Sequence, residues 1–183
     1  FVDDGSRDAS SAILYDLSQN DEHMQAYLLS RNFGHQMALT CGLDHAEGDA
    51  VITMDGDLQH PPELIPELLG LWEAGYEIVQ TVRKDTADAS KFKKITSSTY
   101  YKLINKMSKV HITPGGSDFR LMDRVAIEAL RLYNERARFI RGLVNNLGFK
   151  LTTLEFVAPP RFAGQSKYNL HKMLHFALDG ITA

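Results

Sequence analysis

Short apolar runs alternate with longer segments of helical periodicity through the first half of the chain. Continuous apolar runs of this length are typical of strands in a sheet that is covered on both faces. The predicted strands are Phe1-Val2, Tyr27 to Leu29, Ala50 to Met54 and Ile78 to Val82. The predicted helices run from about Ala9 to Ser18, from His35 to Ala46, and from Pro61-Pro62 to a stop at Gly75. This alternation predicts an α/β domain with a doubly wound, mostly parallel sheet flanked by helices.

Longer helical segments and fewer strands characterise the second half of the chain. The predicted strands are Phe119 to Met122, after the turn Gly115-Gly116, and Leu151 to Val157. The predicted helices are Ala89 to Met107, Arg124 to Tyr133, Phe139 to Leu147 and a final helix from about Tyr168. We therefore expect one domain over residues 1–158. We expect residues 159–183 to form an extension made of an active-site loop and a juxtamembrane amphipathic helix.

The composition fits one globular domain and excludes several classes of protein. The chain has 183 residues and a formal net charge of -3. Because nucleic-acid binders are usually basic, we expect no nucleic-acid partner. The single cysteine excludes an internal disulfide and a cysteine-based zinc site. The sequence contains no apolar run of the roughly 20 residues that cross a bilayer.

A pair of aspartates follows the strand predicted at residues 50–54. Asp55 and Asp57 would lie at the carboxyl end of this strand, where open α/β sheets bind ligands. Two carboxylates at this spacing, with Gln59 as a further oxygen donor, suit a hard cation such as Mg²⁺ or Mn²⁺ that also binds diphosphate. Two alternatives are a polar turn that caps the next helix and an aspartyl-nucleophile phosphatase. The latter usually has threonine or valine where Gln59 stands.

Two other strand ends carry polar residues that suit a nucleotide. Asp3 and Asp4 follow the first strand, and their carboxylates can accept hydrogen bonds from a base or from ribose hydroxyls. Ser6 or Asp8 would equally serve there as a helix N-cap. Arg31 ends the second strand beside a glycine turn, which suits a phosphate or base contact, although a surface salt bridge is the alternative.

Five segments together resemble family 2 glycosyltransferases of the GT-A fold. The similarity is greatest to the polyprenyl-phosphate branch, which includes dolichyl-phosphate mannosyltransferases and bacterial undecaprenyl-phosphate glucosyltransferases. The segments are FVDDGS at 1–6, RNFG at 31–34, DGDLQHPP at 55–62, SDFRLM at 117–122 and RFAGQSKY at 161–168. They occur in the family's order and span nearly the whole chain. The final helix mixes His171, Lys172 and His175 with apolar residues, so it would be a juxtamembrane helix at a bilayer surface or would pack on its own domain or on a partner subunit. The resemblance implies that the family's opening strand and helix would lie before Phe1.

The resemblance also implies roles for individual residues. The implied nucleotide-binding residues are Asp3, Asp4, Arg31 and Asp55, and the implied ligands of Mg²⁺ or Mn²⁺ are Asp55, Asp57 and Gln59. The implied catalytic residues are Asp118, Arg120, Arg161 and Lys167, and the implied contacts with acceptor phosphate or diphosphate are Arg120, Arg161, Ser166 and Lys167. Asp118 stands where relatives with hydroxyl acceptors place a base. Here it would act as a base, orient the acceptor, or serve as a turn residue.

The function implied by the resemblance is an inverting transfer of a hexose from a nucleotide sugar, of the UDP-glucose or GDP-mannose type, to a polyprenyl phosphate. The full-length protein would be anchored at the cytoplasmic face of a membrane, and a homo-oligomer is possible. One alternative is a family 2 transferase that acts on a sugar hydroxyl in cell-surface polysaccharide synthesis. The other alternative is a non-catalytic module that binds nucleotide sugars.

Overall fold

Six strands and five α-helices are described in the computed structural model, over residues 1–84, 115–133 and 139–159. The strands are β1 (Val2–Asp3), β2 (Tyr27–Leu28), β3 (Ala50–Thr53), β4 (Ile78–Lys84), β5 (Gly116–Asp123) and β6 (Leu151–Val157). The helices are α1 (Ser10–Asn20), α2 (His35–His45), α3 (Ile65–Glu73, after a 3-10 turn at Pro62–Leu64), α4 (Arg124–Arg131) and α5 (Ile140–Asn146). Each strand and helix predicted within these ranges is present, with ends shifted by up to three residues. The helices predicted at residues 89–107 and from residue 168, the second of which is the juxtamembrane helix, lie outside the described residues.

The strands form two sheets. β1 and β2 pair in parallel, and the larger sheet has the order β3-β5-β4-β6. β5 is antiparallel to both of its neighbours, whereas β4 and β6 are parallel. Three of the four strands in the larger sheet therefore run in one direction, and the α/β prediction is confirmed. The sheet is mixed because β5 is inserted between β3 and β4, an order that strand periodicity does not reveal.

Helices cover both faces of the larger sheet. Leu68 of α3 packs on Val79, Phe119 and Leu121 on one face. The opposite face is covered by α2, α4 and α5, whose side chains form a second cluster with Ile78 and Met122. Because side chains alternate along a strand, Asp118 and Arg120 share the face of Met122. The centre of β5 thus presents a carboxylate and a guanidinium to the layer that contains α2 and α5.

α2 packs on both sheets. Gly42 of α2 lies so close to β1 that a Cβ at this position would be 3.4 Å from Val2 Cγ2. One residue later, Leu43 belongs to the core cluster that also receives Val51 of β3. One helix therefore spans the space between the two sheets, and its N-terminus lies near the carboxyl end of β3. None of the helices in the described ranges combines the length and the apolar character needed to cross a membrane.

Candidate active site

The turn after β1 packs directly against the turn after β2. Gly5 has a φ of 67°, and a Cβ there would lie 2.3 Å from the carbonyl carbon of Arg31, so only glycine fits this approach. The Asp4 carboxylate accepts hydrogen bonds from the backbone N–H groups of Phe33 (2.7 Å) and Gly34 (2.9 Å). Asp4 therefore holds in place the loop that leads into α2.

Asp3 and Arg31 make mainly local contacts. The buried Asp3 carboxylate accepts hydrogen bonds from Ser6 and from Ser11 Oγ (2.6 Å), and the bond from Ser11 contributes most to lowering the pKa of Asp3. The guanidinium of Arg31 stacks over the Phe33 ring at 4.0 Å and donates to the Asn32 carbonyl. In this conformation, Asp3 stabilises the start of α1, and Arg31 lies at the exposed edge of the loop.

The turn after β3 is held by side chains on each side of it. The backbone N–H of Asp55 donates to His60 Nδ1 (2.9 Å), and His60 Nε2 lies 2.9 Å from Ser117 Oγ. Since Nδ1 accepts a hydrogen bond, neutral His60 carries its proton on Nε2 and donates it to Ser117. Burial is the main cause of the lowered pKa of His60, which favours this neutral form. His60 thus joins the turn to the start of β5.

Asp55, Asp57 and Gln59 differ in how they are placed. The Asp55 side chain is 39% exposed and faces the space between the sheets. Asp57 Oδ1 accepts from the Gln59 backbone N–H (3.1 Å), and Gln59, which is buried, donates from Nε2 to the Pro159 carbonyl (3.2 Å). Asp55 is consequently accessible to a ligand in this space, while Asp57 and Gln59 also stabilise the turn.

Asp118 is the centre of a cluster of charged groups. Its carboxylate is only 2% exposed. It accepts hydrogen bonds from Nε (3.0 Å) and Nη2 (2.6 Å) of Arg141 and from Nη2 of Arg120 (2.8 Å). His35 Nε2 lies 3.0 Å from the same carboxylate, and His35 Nδ1 lies 3.7 Å from Asp55. His35 thereby connects two carboxylates that come from different strands.

The protonation states within this cluster follow from its contacts. Burial alone would raise the pKa of Asp118, but hydrogen bonds from His35 and Arg141 and the two nearby guanidinium charges outweigh it and hold the pKa well below its usual range. The hydrogen bond to Asp118 raises the pKa of His35. Asp118 therefore remains ionised, and a carboxylate with so low a pKa is a weak base.

Arg120 is the most unusual member of the cluster. Its side chain is 1% exposed, and burial lowers its pKa to about 10, so it stays cationic at neutral pH. Nη2 donates to Asp118 and to the Ser117 carbonyl (3.1 Å). Its Nε and Nη1 have no hydrogen-bond partner among the described residues. A buried donor without a partner costs about 1–3 kcal/mol, so a bound anion that accepted from these two groups would be stabilised.

A cavity of about 900 Å³ lies between β1 and β3 beneath α2. Its polar lining includes Asp4, His35, Asp55 and Asp118, together with His23, Gln25, Asn32, His45, Glu47 and Thr53. Its apolar lining includes Val2 of β1, Ala38 and Leu39 of α2, and Val51 and Ile52 of β3. Asp4 and Asp55 come from the turns after β1 and β3, His35 from the N-terminus of α2 and Asp118 from the antiparallel strand β5. A charged ligand therefore suits the part of the cavity where these four groups meet.

The structure brings together only part of the predicted site. Asp4, Asp55 and Asp118 line one cavity, and Arg120 contacts Asp118. Asp3, Arg31, Asp57 and Gln59 are not among the residues that line it. Arg161, Ser166 and Lys167 lie outside the described residues.

Two members of the cluster were not predicted from the sequence. His35 was predicted only as the start of a helix, and Arg141 only as part of another helix. Their contacts with Asp118 span 83 and 23 residues, respectively. The available signal for His35 was its position directly after the Arg31–Gly34 turn, at the N-terminus of a helix that follows a strand.

The oxygen ligands available at this site suit Mg²⁺ or Mn²⁺ better than a soft metal. Over residues 1–84, 115–133 and 139–159, no three acidic, histidine or cysteine side chains form a complete metal site. Mg²⁺ is commonly bound by one or two carboxylates with substrate phosphates completing the coordination. Asp55, with Asp57 beside it, fits this mode of binding.

The family model and the relatives similar in sequence are all glycosyltransferases. The model of the glycosyl transferase family 2 matches residues 1–131. The chain is 45% identical over 182 residues to the uncharacterized glycosyltransferase YkcC of Bacillus subtilis (strain 168), covering 100% of this chain and 56% of that protein. It is 42% identical over 183 residues to the bactoprenol glucosyl transferase of Shigella phage SfV, covering 100% of this chain and 60% of that protein. The chain therefore spans little more than half the length of these relatives.

A solved structure shows the same fold. The crystal structure of Staphylococcus aureus TarS 1-349 superposes with a TM-score of 0.52 at 17% identity, over 86% of this chain and 48% of that one. This similarity confirms the predicted GT-A-like α/β fold, with a mixed sheet flanked by helices. The family match over 131 residues and the high identity to the relatives agree with the predicted resemblance. This chain belongs to glycosyl transferase family 2.

Proposed function

We propose that the protein transfers a hexose from a nucleotide sugar to a polyprenyl phosphate at a membrane surface. Two relatives support this acceptor by name: the bactoprenol glucosyl transferase of phage SfV and, at 41% identity, the prophage bactoprenol glucosyl transferase homolog of Escherichia coli (strain K12). Glucose is accordingly the first sugar to test, from UDP-glucose, with GDP-mannose as the second donor. The full-length protein would act at the cytoplasmic face of the membrane.

The observation that carries this proposal is the ion pairing of Asp118. A sugar hydroxyl needs a general base to become a good nucleophile, and Asp118 is the residue that the sequence suggested for that task. Its carboxylate is buried, bound by two arginines and held at a low pKa. A phosphate monoester has its second pKa near 6 and is already anionic at neutral pH. The geometry therefore favours a phosphate acceptor over a hydroxyl acceptor.

The proposed reaction is an in-line displacement. An oxygen of the acceptor phosphate attacks the anomeric carbon and forms a new C–O bond. The bond from that carbon to the nucleoside diphosphate breaks, and the diphosphate leaves with the electron pair. Asp4 holds the loop next to the donor, and the cationic Arg120 stabilises phosphate charge.

We further propose that Asp55 and Asp57, with Gln59 nearby, bind Mg²⁺ or Mn²⁺ together with the donor diphosphate. The bound ion would offset the charge that builds up on the leaving diphosphate. Asp3 and Arg31 remain candidates for nucleotide contacts if the loops rearrange on binding. We assign Arg161, Ser166 and Lys167 to the closure of the diphosphate site, on the family resemblance alone.

The apolar part of the cavity fits a further β-strand. The cavity separates β1 from β3, each of which is paired within the described residues on one side only, and α2 spans both. We propose that the family's opening strand, which would precede Phe1, occupies this gap within the 1–158 domain. Hydrogen exchange would test this: amides of β1 and β3 should exchange more slowly in a longer natural chain than in these 183 residues. Equal exchange in the two chains would refute it.

A binding and turnover experiment tests the proposed function. The full-length protein is titrated with UDP and with GDP, with and without Mn²⁺, and is then assayed for transfer of labelled sugar from UDP-glucose and GDP-mannose to undecaprenyl phosphate. Asp55→Asn should abolish metal-dependent nucleotide binding. Asp49→Asn, at an 89% exposed position, is the matched control and should behave as wild type. Nucleotide binding without transfer to any lipid phosphate would favour the non-catalytic alternative.

A further inference from the structure

Arg141 binds the Asp118 carboxylate through two nitrogens. Its Nε lies 3.0 and 3.1 Å from the two carboxylate oxygens, and its Nη2 lies 2.6 Å from Oδ2. The carboxylate is 2% exposed, whereas Arg141 is 24% exposed. A fork of this kind fixes both the position and the plane of the carboxylate, which a single point charge would not do.

The fixed carboxylate in turn holds Arg120. Asp118 Oδ1 accepts Nη2 of Arg120 at 2.8 Å, on the same face of β5. Only this nitrogen of the guanidinium is engaged among the described residues, and Nε and Nη1 have no partner there. The direction in which these two donors point therefore depends on the two groups that hold Nη2, the Asp118 carboxylate and the Ser117 carbonyl. Two guanidinium groups share one carboxylate, which leaves the pair of arginines with an excess positive charge.

Arg131 is as exposed as Arg141 but does not contact Asp118, so it provides a matched comparison. Arg131 of α4 is 25% exposed, close to the value for Arg141. It donates to the carbonyls of Leu43 and Ala46 at the end of α2, and it pairs with Glu128. Arg131 therefore joins two helices without contacting the charged cluster. The two arginines are matched in burial and differ in whether they contact Asp118.

We propose that Arg141 is a positioning residue for the acceptor: it fixes Asp118, and through Asp118 it orients the free donors of Arg120 toward the acceptor phosphate. This inference rests on the proposed function, because it assumes a phosphate acceptor. The inference goes beyond the proposed function because it assigns the orientation of the acceptor phosphate to a residue of helix α5 and not to a motif at the end of a strand. Arg141 itself need not touch the substrate.

The test separates acceptor binding from donor binding in the full-length protein. Farnesyl phosphate, a short polyprenyl phosphate, and UDP with Mn²⁺ are titrated calorimetrically into wild type, Arg141→Gln, Arg141→Lys and Arg131→Gln. We expect Arg141→Gln to weaken farnesyl phosphate binding at least tenfold and to change UDP binding less than threefold. Arg141→Lys should lie between wild type and Arg141→Gln, because lysine keeps the charge and loses the fork. Arg131→Gln should bind both ligands as wild type does.

Other outcomes would overturn the inference. If Arg141→Gln kept the wild-type affinity for farnesyl phosphate, or lost affinity for both ligands equally, the residue would not position the acceptor. If wild type bound UDP but no farnesyl phosphate, the proposed acceptor would fail, and this inference with it.

If Arg141→Gln folds poorly, the comparison rests on Arg141→Lys, which keeps the charge beside Asp118. A double variant tests the route through Asp118 separately. Asp118→Asn combined with Arg141→Gln removes the carboxylate charge together with its partner. Since both substitutions interrupt the same route to Arg120, the double variant should bind farnesyl phosphate no more weakly than the weaker single variant. Additive losses would show that the two residues act separately and would contradict the proposal.

Discussion

The buried carboxylate of Asp118 binds two arginines, and these contacts lower its pKa so that it accepts a proton poorly. Its contacts come from three elements, since Arg120 is on β5, His35 on α2 and Arg141 on α5. The sequence identified Asp118 and Arg120 because they stand in a recognisable motif on a strand. It did not identify His35 and Arg141, because their approach depends on how two helices pack on one face of the sheet.

Substituting Asp118 should destabilise the fold. In Asp118→Asn, the fully buried Arg120 keeps its charge and loses its counter-ion, and breaking a buried pair in this way costs about 3–5 kcal/mol. The free energy of unfolding in urea measures the loss. The control is Asp49→Asn, which removes an exposed ion pair between Asp49 and Arg124. It should change the free energy of unfolding by less than about 1 kcal/mol. Equal effects of the two substitutions would contradict the account of the cluster.

Asp3 should contribute stability that depends on pH. Hydrogen bonds from Ser11 and Ser6 lower the pKa of Asp3 from its model-peptide value of 3.8. The contribution is therefore fully present above pH 3.8 and is lost as the pH falls through the lower pKa of the folded state. We expect Asp3→Asn to cost about 1–3 kcal/mol at pH 7. The difference from wild type, measured by urea unfolding, should shrink as the pH falls below 3.8, and a difference that grew with acid would refute this.

At the scale of elements, the strand ends and helix starts determine where the polar groups meet. The β3–α3–β4 order and its turn residues were predicted because apolar runs and the Pro61-Pro62 start have local signatures. The antiparallel insertion of β5 was not predicted, since the pattern of side chains along a strand is the same whichever way the strand runs in the sheet. This insertion is nevertheless what brings Asp118 next to β3, where the Thr53 hydroxyl donates to the Asp118 carbonyl.

Asp123 links three elements at the end of β5 and should be important for stability. Its Oδ1 caps α4 by accepting from the Val125 N–H (2.8 Å), and its Oδ2 accepts from Trp72 Nε1 of α3 (2.7 Å). Asp123→Ala removes the cap and leaves the indole N–H without this partner, so we expect a loss of about 2–3 kcal/mol. Asp123→Asn should lose less. Urea unfolding followed by the fluorescence of Trp72 would measure both, and equal stability of the Ala variant would contradict the role.

For the whole molecule, the sequence was sufficient for the family and the fold class, and insufficient for the geometry of the charged cluster around Asp118. Asp4 and Asp55 follow the carboxyl ends of β1 and β3, where open α/β sheets bind ligands. Asp118 joins them in lining one cavity because β5 runs antiparallel to β3. The predicted nucleotide, metal and catalytic roles of all the site residues remain predictions. The side chains of Asp3, Asp57 and Gln59 make hydrogen bonds close to their own turns.

The central claim is that the acceptor supplies its own negative charge because the protein offers no effective base at Asp118. Transfer of labelled glucose from UDP-glucose by the full-length protein should be compared between undecaprenyl phosphate and undecaprenol, which share the same chain and differ only in the phosphate. We expect lipid-extractable label with undecaprenyl phosphate and at most a trace with undecaprenol. Comparable transfer to undecaprenol would contradict the account.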